Sequence, residues 1–300
     1  KLISNWFPHH YFGTLVGLTS LIGMIGGISG QAPLTATVGA FGWRTTIWTL
    51  AFIGIGLAVL IVLVVRDHPA GAVRWEDHPE RERGKHKILS DLKHVFSSGQ
   101  IWMCGAYVSG MNAIYFVFGA LWGPDFLQQA YRVTEVRAET AMSMLFVGGI
   151  PGTIFFGWFS DRIKRRKIPM AIAGFIALIV MAFLLYGPTV PLSVIYVLLI
   201  VQGFMCSSYV IAFALANDVR PPGSAAISGG FVNTCSVASS AIFQPAVGAI
   251  LDSLSDKAGL DAGDYRIALS TMTGLLVLAL LMALFSQETH CRPLYEDTAQ

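Results

Sequence analysis

Eight runs of predominantly apolar residues follow one another along the chain. A helix needs about 20 such residues to cross the hydrocarbon core of a bilayer. The apolar positions are continuous rather than alternating, so the runs predict transmembrane α-helices and not the strands of a barrel. The predicted spans are residues 12–38, 45–65, 101–123, 140–159, 168–187, 191–216, 224–251 and 267–286.

A polar segment, residues 66–99, separates the second run from the third and divides the spans into two plus six. It contains the charged stretch RWEDHPERERGKHK. Near its end, apolar residues recur at helical spacing, which favours a short amphipathic helix at the membrane surface. These residues are Ile88, Leu89, Leu92, Val95 and Phe96. A solvated loop is the alternative interpretation.

Composition agrees with a membrane protein and excludes several other classes. The chain is 54% hydrophobic and 13% charged, whereas soluble domains carry about 25% charged residues. Mean hydropathy is +0.61. No basic stripe is interleaved with aromatic residues, so we expect no nucleic-acid partner. The four cysteines are scattered without a CxxC pair, so we expect no metal, cofactor or disulfide framework.

The placement of the cations predicts the orientation of the chain. All but five of the 20 Lys and Arg residues fall on one side of the predicted spans. Because cytoplasmic loops carry the excess of Lys and Arg, this side is predicted to be cytoplasmic. Both ends of the chain and all seven histidines lie on it.

An internal repeat relates the first run to the seventh. Gly17 precedes Gln31 by 14 residues, and Gly230 precedes Gln244 by the same interval. Transporters are often built from such repeats. Carried over to the third run, the same offset predicts about four helices upstream of Lys1, giving two six-helix bundles.

Three segments carry a family resemblance: residues 157–167, residues 6–69, and the polar segment 66–99, which stands where the family has its central loop. Residues 157–167 read GWFSDRIKRRK, which is similar to the signature G-x-x-x-D-R-x-G-R-R/K, with Lys164 in place of the second glycine. Residues 6–69 resemble the loop before helix 5 and then helices 5 and 6 of the same family. The chain therefore resembles the major facilitator superfamily of secondary transporters over essentially its whole length.

The resemblance implies an all-α integral membrane fold, with helices 5 to 12 of twelve present in this chain. Residues 1–66 would end the N-terminal bundle, 67–99 form the central cytoplasmic loop, 100–287 form the C-terminal six-helix bundle, and 288–300 form the tail.

The implied function is a secondary active or facilitative transporter, not an enzyme, that moves a small polar organic solute by alternating access. A transporter-like sensor or an inactive partial carrier is the alternative. The expected partners are the lipid bilayer, the solute, and H⁺ or another coupling ion. We expect a monomer in the plasma (inner) membrane.

The resemblance implies that the signature loop acts as a conformational latch, which holds the two halves in the outward-open state and breaks when they rock. Its residues are Gly157, Asp161, Arg162, Arg165 and Arg166. A carboxylate at Asp161 can accept hydrogen bonds from the exposed N–H groups of a neighbouring helix N-terminus. The resemblance implies that this helix begins near residues 11–13. The alternative is a cationic loop that only sets topology.

Polar side chains within the spans are the candidates for solute contact, because such groups usually face a cavity or a partner helix. They are Gln31, Asn112, Tyr115, Trp122, Gln202, Tyr209, Asn233, Ser240 and Gln244. Hydrogen bonds between helices are the alternative for each of them. Every Asp, Glu, Lys, Arg and His falls in a loop or near a helix end, with Asp125 and Asp218 closest to a span.

Overall fold

A computed structural model describes residues 22–30, 32–65, 85–219, 224–254 and 259–292. The chain divides into two compact units, Lys1–Ile88 and Leu89–Gln300. The boundary lies close to the end of the polar segment that the sequence identifies as the linker.

The first unit contains three described helices. Residues 22–29 form α1, Ala32–Phe41 forms α2 and Trp43–Val64 forms α3. Gly42 separates α2 from α3 with a φ of 78°, a conformation that glycine adopts without the steric cost of a side chain. The apolar side chains of α3 are exposed over nearly its whole length, as expected of a helix whose solvent is lipid.

The second unit begins with a helix that straddles the boundary and continues through the rest of the chain. Its helices are α4 (Lys85–Ser97), α5 (Gly99–Ala113), a π-helical segment (Ile114–Trp122), α6 (Gly123–Tyr131), α7 (Glu135–Ile163), α8 (Lys167–Tyr186), α9 (Leu192–Cys206), α10 (Tyr209–Asp218), α11 (Ala225–Leu254) and α12 (Ala262–Phe285).

The spans predicted from the apolar runs are helical over most of their described residues, and a turn at Ser207–Ser208 interrupts the sixth. Within the described ranges, seven helical stretches are long and apolar enough to cross a membrane. They correspond to the second through eighth predicted runs. The first run, 12–38, lies partly outside the described residues. The amphipathic helix predicted after the linker is confirmed as α4.

The core of the second unit is organised around α5 and the π-helical segment that continues it. Tyr107, Met111 and Phe118 of this stretch are fully buried. Helices α11 and α12 both pack on α5, and α12 also packs on α8. This central position makes the stretch from α5 to α6 the most buried of the candidate spans.

Helices α7 and α9 make the closest approach in the second unit. A Cβ added to Gly148 would overlap the carbonyl oxygen of Ile200, and one added to Gly203 would overlap the carbonyl oxygen of Leu145. Small residues allow such approach where lipid supplies no hydrophobic driving force. By contrast, a Cβ added to Gly23 in α1 would meet nothing within 4 Å.

The turn between α7 and α8 is tight even though its second glycine is replaced. Lys164 caps the C-terminus of α7 in the left-handed region, with φ 52° and ψ 41°. Its N–H donates to the carbonyl of Asp161 and that of Arg165 donates to Ser160. Glycine is the usual residue in this conformation, so the signature loop keeps its shape at some conformational cost to Lys164.

Candidate functional site

The π-helical segment and α11 contain five of the predicted solute contacts. Four of them lie on a wall that the two elements form, namely Trp122, Asn233, Ser240 and Gln244, whereas Tyr115 is buried inside the bundle. In this segment the backbone N–H groups bond five residues back, and Gly123 still donates to the carbonyl of Phe118. Segments of this kind are rare and are frequent at functional sites. Residues Phe116 and Leu121 of the segment are exposed, so the wall has an open face.

Reciprocal hydrogen bonds fix the wall at its Trp122 end. The indole N–H of Trp122 donates to the carbonyl of Gln244 over 3.1 Å. In return, the amide nitrogen of Gln244 donates to the carbonyl of Phe116 over 2.9 Å. Both side chains are half-buried. The ring of Trp122 also lies against Gly248, where an added Cβ would come within 3.2 Å.

The face of α11 toward the other end of the wall presents further polar groups. Asn233, Ser240 and Gln244 follow one another at intervals of seven and four residues, which places them on one helical face. Asn233 is exposed. The hydroxyl oxygen of Ser240 is buried without a hydrogen-bond partner among the described residues. This face therefore has hydrogen-bonding capacity that the described protein does not use.

Asn112 joins α5 to α11. Its amide nitrogen donates to the hydroxyl of Ser236 over 2.7 Å, and both residues are buried. The contact corresponds to the interhelical alternative rather than to an open cavity surface. A role of Asn112 in solute contact stays a prediction.

A second polar group lies inside the bundle, where the π-helical segment, α7 and α9 meet. The Tyr115 hydroxyl donates to the carbonyl of Gly203 and contacts the Ser207 hydroxyl at 3.0 Å. Ser207 donates in turn to the carbonyl of Gly149 over 2.9 Å. Tyr115 is thus engaged in packing the helices.

Gln202 is fully buried near this group. Its amide nitrogen contacts the Cys206 sulfur at 3.7 Å, and its carbonyl oxygen has no partner among the described residues. A buried amide with an unsatisfied oxygen is costly. Tyr209, a half-buried neighbour, packs its ring on Phe213 at 6.3 Å. The remaining candidate, Gln31, lies outside the described residues.

The signature loop is the centre of a charge cluster at the end of α7. Arg166 is buried, and its guanidinium donates to Asp161 over 2.7 Å and to Asp218 over 3.2 Å. It also donates to the Ser160 hydroxyl over 3.0 Å. Burial alone would lower the pKa of Arg166, but the Asp218 and Asp161 carboxylates outweigh it and raise that pKa. The cation is therefore held charged inside the cluster.

The five latch residues have different exposures. The Asp161 side chain is 68% exposed, whereas that of Arg166 is 10% exposed. Arg162 and Arg165 are exposed, and Gly157 has open space where a Cβ would lie. The helix end that Asp161 is expected to contact, near residues 11–13, lies outside the described residues.

The segment after α12 completes the cluster, which sequence reasoning did not foresee. The Glu288 carboxylate accepts from the backbone N–H of Arg166 over 2.7 Å and from that of Lys167 over 3.0 Å. It therefore caps the N-terminus of α8. Thr289 donates to Asp218 over 2.9 Å. In the sequence, the available sign of this contact is the carboxylate of Glu288, just after the last predicted span.

The pKa of Glu288 follows from these contacts. Burial alone would raise it, but the N–H donors of Arg166, Lys167 and His290 stabilise the carboxylate and lower the pKa overall. The capping interaction is thus present at neutral pH.

Comparison with known proteins gives a consistent set of matches. A family model described as Major Facilitator Superfamily matches residues 1–244. The chain is 27% identical to a glycerol-3-phosphate transporter of Bacillus subtilis (strain 168), over 93% of this chain and 66% of that protein. It is 26% identical to a probable L-galactonate transporter of Escherichia coli (strain K12), over 69% of this chain and 48% of that protein.

A further relative is a membrane sensor. The chain is 25% identical to membrane sensor protein UhpC of Salmonella typhimurium, over 54% of this chain and 39% of that protein. The chain thus spans between 39% and 66% of the length of these three relatives. They are transporters and a sensor rather than enzymes, as the sequence predicts.

Among solved structures, the fold matches a crystal structure of a bacterial homolog to the human lysosomal transporter Spinster, in an inward-facing and unoccupied conformation. The TM-score is 0.66 at 14% sequence identity, over 95% of this chain and 72% of that chain. At this identity the match concerns the fold alone.

Proposed function

The chain belongs to the Major Facilitator Superfamily, and from this premise we propose that it moves a small polar organic solute across the membrane by alternating access. Carrier proteins among its relatives support the proposal. The observation that carries it is the wall of the π-helical segment and α11, where Asn233 is exposed and Gln244 is half-buried, so that their amide groups line the open face.

The chemistry of this wall favours a polyhydroxylated solute. Amide and hydroxyl side chains pair with the hydroxyl groups of such a solute, and an indole such as that of Trp122 offers an apolar surface to its C–H groups. One relative is named as a glycerol-3-phosphate transporter, and another is named as a probable L-galactonate transporter. The eight apolar runs contain no Lys or Arg, so we expect them to contact the neutral part of the solute.

Alternating access needs a contact that forms in one state and breaks in the other. We assign this role to Asp161, whose carboxylate is largely exposed while Arg166 holds one of its oxygens. The buried cation orients the carboxylate and leaves its outer oxygen available to a helix N-terminus. We further propose that the protein works as a monomer in the inner membrane, with both ends of this chain on the cytoplasmic side. If transport is coupled, H⁺ or another ion is the coupling ion.

Uptake into liposomes tests the proposal. We would reconstitute the full-length protein and measure uptake of glycerol-3-phosphate, a hexose phosphate, L-galactonate and neutral sugars. Saturable uptake of at least one of them is expected, and each solute that is transported should compete with its own unlabelled form. A continuous, non-saturating conductance would contradict a carrier.

A sensor is the second candidate function, because UhpC is among the relatives. A sensor binds its solute without moving it. A solute that raises the thermal stability of the full-length protein by binding, yet is not taken up by the liposomes, would favour the sensor over the carrier.

A further inference from the structure

An apolar groove runs between α4 and the spans that it covers in the second unit. Its volume is about 550 Å³, which lies within the range of about 300–1,000 Å³ typical of ligand sites. Residues Leu92, Val95 and Phe96 of α4 form one side. Trp102 of α5 and Phe231 of α11 form the other.

Three aromatic rings form the rim of the groove. The Phe231 ring lies 4.7 Å from that of Trp102 and 5.1 Å from that of Phe96, both edge to face. Phe96 and Trp102 are nonetheless 55% and 48% exposed. Aromatic residues with one open side are typical of the membrane–water interface, so the exposed side of the rim is one that lipid could reach.

The described residues that line the groove offer few polar groups to a solute, and one of these groups, the Cys235 thiol, is only a weak hydrogen-bond donor. The Trp102 indole N–H donates to the carbonyl of Phe96 over 2.9 Å. The Thr234 hydroxyl, which also lines the groove, donates to the carbonyl of Gly230 over 2.8 Å. Because both groups are hydrogen-bonded within the protein, the groove suits a hydrocarbon chain. It does not suit the polar solute that we propose for the wall of the π-helical segment and α11.

The helix that forms one side of the groove is basic. The sequence of α4, KHKILSDLKHVFS, contains three lysines and one aspartate. Lys93 is exposed and immediately follows the groove residue Leu92. The distribution of Lys and Arg predicts that this end of the unit is cytoplasmic. Anionic lipids concentrate in the cytoplasmic leaflet and are attracted to basic segments at its surface.

We propose that the groove holds an acyl chain of an anionic phospholipid from the cytoplasmic leaflet, with the headgroup phosphate beside Lys93. The apolar walls account for the chain and the basic helix for the headgroup. An occupied groove would fix α4 against α5 and α11, at the point where the linker enters the second unit.

Photo-crosslinking from the groove tests the occupant. A benzophenone amino acid would replace Phe231 in the full-length protein. The protein would then be reconstituted in vesicles of phosphatidylcholine alone or of phosphatidylcholine mixed with phosphatidylglycerol. We expect phosphatidylglycerol to be enriched about fivefold among the lipid adducts, relative to its share of the mixture, because one lysine near the surface attracts an anionic lipid by about this factor. The same probe in place of Phe175, an exposed residue of α8, should show no enrichment.

Two variants separate the chain contact from the headgroup contact. Lys93→Gln should abolish the enrichment while leaving adducts in place. Ala238→Trp, which fills the groove from α11, should reduce adducts of both lipids without lowering the thermal stability of the protein. Adducts to a peptide of the same protein, or equal enrichment at Phe231 and Phe175, would overturn the proposal.

Discussion

At the scale of single residues, Arg166 links three parts of the second unit. Its guanidinium contacts Asp161 at the end of α7 and Asp218 at the end of α10, while its backbone N–H is capped by Glu288 after α12. Breaking a buried ion pair by removing one partner leaves an uncompensated charge. We therefore expect the cluster to fix the relative positions of these helix ends.

The Glu288→Gln variant tests the cap. The Glu288 pKa is lowered in the folded state, so its carboxylate contributes stability above the unfolded-state pKa of about 4.3. That stability is lost as pH falls through the folded pKa. The variant should unfold a few degrees lower than the parent at pH 7, on the order expected for a small loss of stability in a chain of this size. The difference should shrink below about pH 4.

Thermal unfolding in detergent at pH 7 and at acid pH measures this difference. Asp252→Asn, at an exposed carboxylate of α11, is the matched control and should match the parent at both pH values. A Glu288→Gln deficit that persists undiminished at acid pH would contradict the assignment.

A second residue-scale prediction concerns the contact of α7 with α9. Gly203→Ala places a methyl group against the carbonyl of Leu145, where there is no room. The helices must separate, so we expect a loss of about 1–3 kcal/mol, the usual cost of overpacking. Gly274→Ala in α12 is the control, because an added Cβ there meets nothing within 4 Å. Equal unfolding temperatures for the two variants would show that the approach is looser than described.

At the scale of helices, sequence periodicity is sufficient to predict which segments span the membrane. Hydropathy depends on local composition, so the second through eighth runs and α4 could be predicted. The π-helical segment could not, because IYFVFGALW has no local feature that distinguishes it from α-helix. Its geometry depends on neighbours such as Gln244, which are distant in sequence.

The same limit applies to the candidate site residues, whose role in solute contact stays a prediction. Asn112, Tyr115 and Gln202 are polar within apolar runs, and sequence alone identifies them as unusual. Whether such a side chain faces a cavity or another helix depends on packing, and here all three are buried. Glu288 was missed because its partners are backbone N–H groups of Arg166 and Lys167, which no side-chain pattern reveals.

The wall of the π-helical segment and α11 gives a prediction at the same scale. Gln244→Ala removes the amide that joins α11 to Phe116 and contributes to the open face. Loss of one hydrogen bond of about 1.4 kcal/mol corresponds to a tenfold change in affinity. We therefore expect the solute concentration for half-maximal uptake to rise about tenfold.

Saturation of uptake in liposomes measures this change. Ser270→Ala is the control, because the Ser270 hydroxyl is exposed and bonds within α12 to the Ile267 carbonyl. An unchanged half-saturation for Gln244→Ala, with normal amounts of folded protein, would remove the wall from the transport site.

At the scale of the whole molecule, Asp161 is predicted to stabilise the outward-open state, so its loss should favour the state that is open to the cytoplasm. Asp161→Asn keeps the size of the side chain and removes the charge that a helix N-terminus favours. We expect single cysteines introduced into the wall of the π-helical segment and α11 to become severalfold more accessible from the cytoplasm. A change of this size corresponds to the loss of an interaction of about 0.3–1 kcal/mol.

Accessibility to a membrane-impermeant thiol reagent, applied from each side in turn, measures this shift. Asp252→Asn again serves as the control. Access that is unchanged from both sides would leave the signature loop as a determinant of topology alone.

Solute counterflow tests the central claim most directly. Liposomes containing the full-length protein would be loaded with an excess of unlabelled solute and diluted into a trace of the labelled form. An alternating-access carrier returns to the outside with its site occupied, so the account predicts transient accumulation of label above its external concentration. Label that only equilibrates, at a rate independent of the internal solute, would contradict the account.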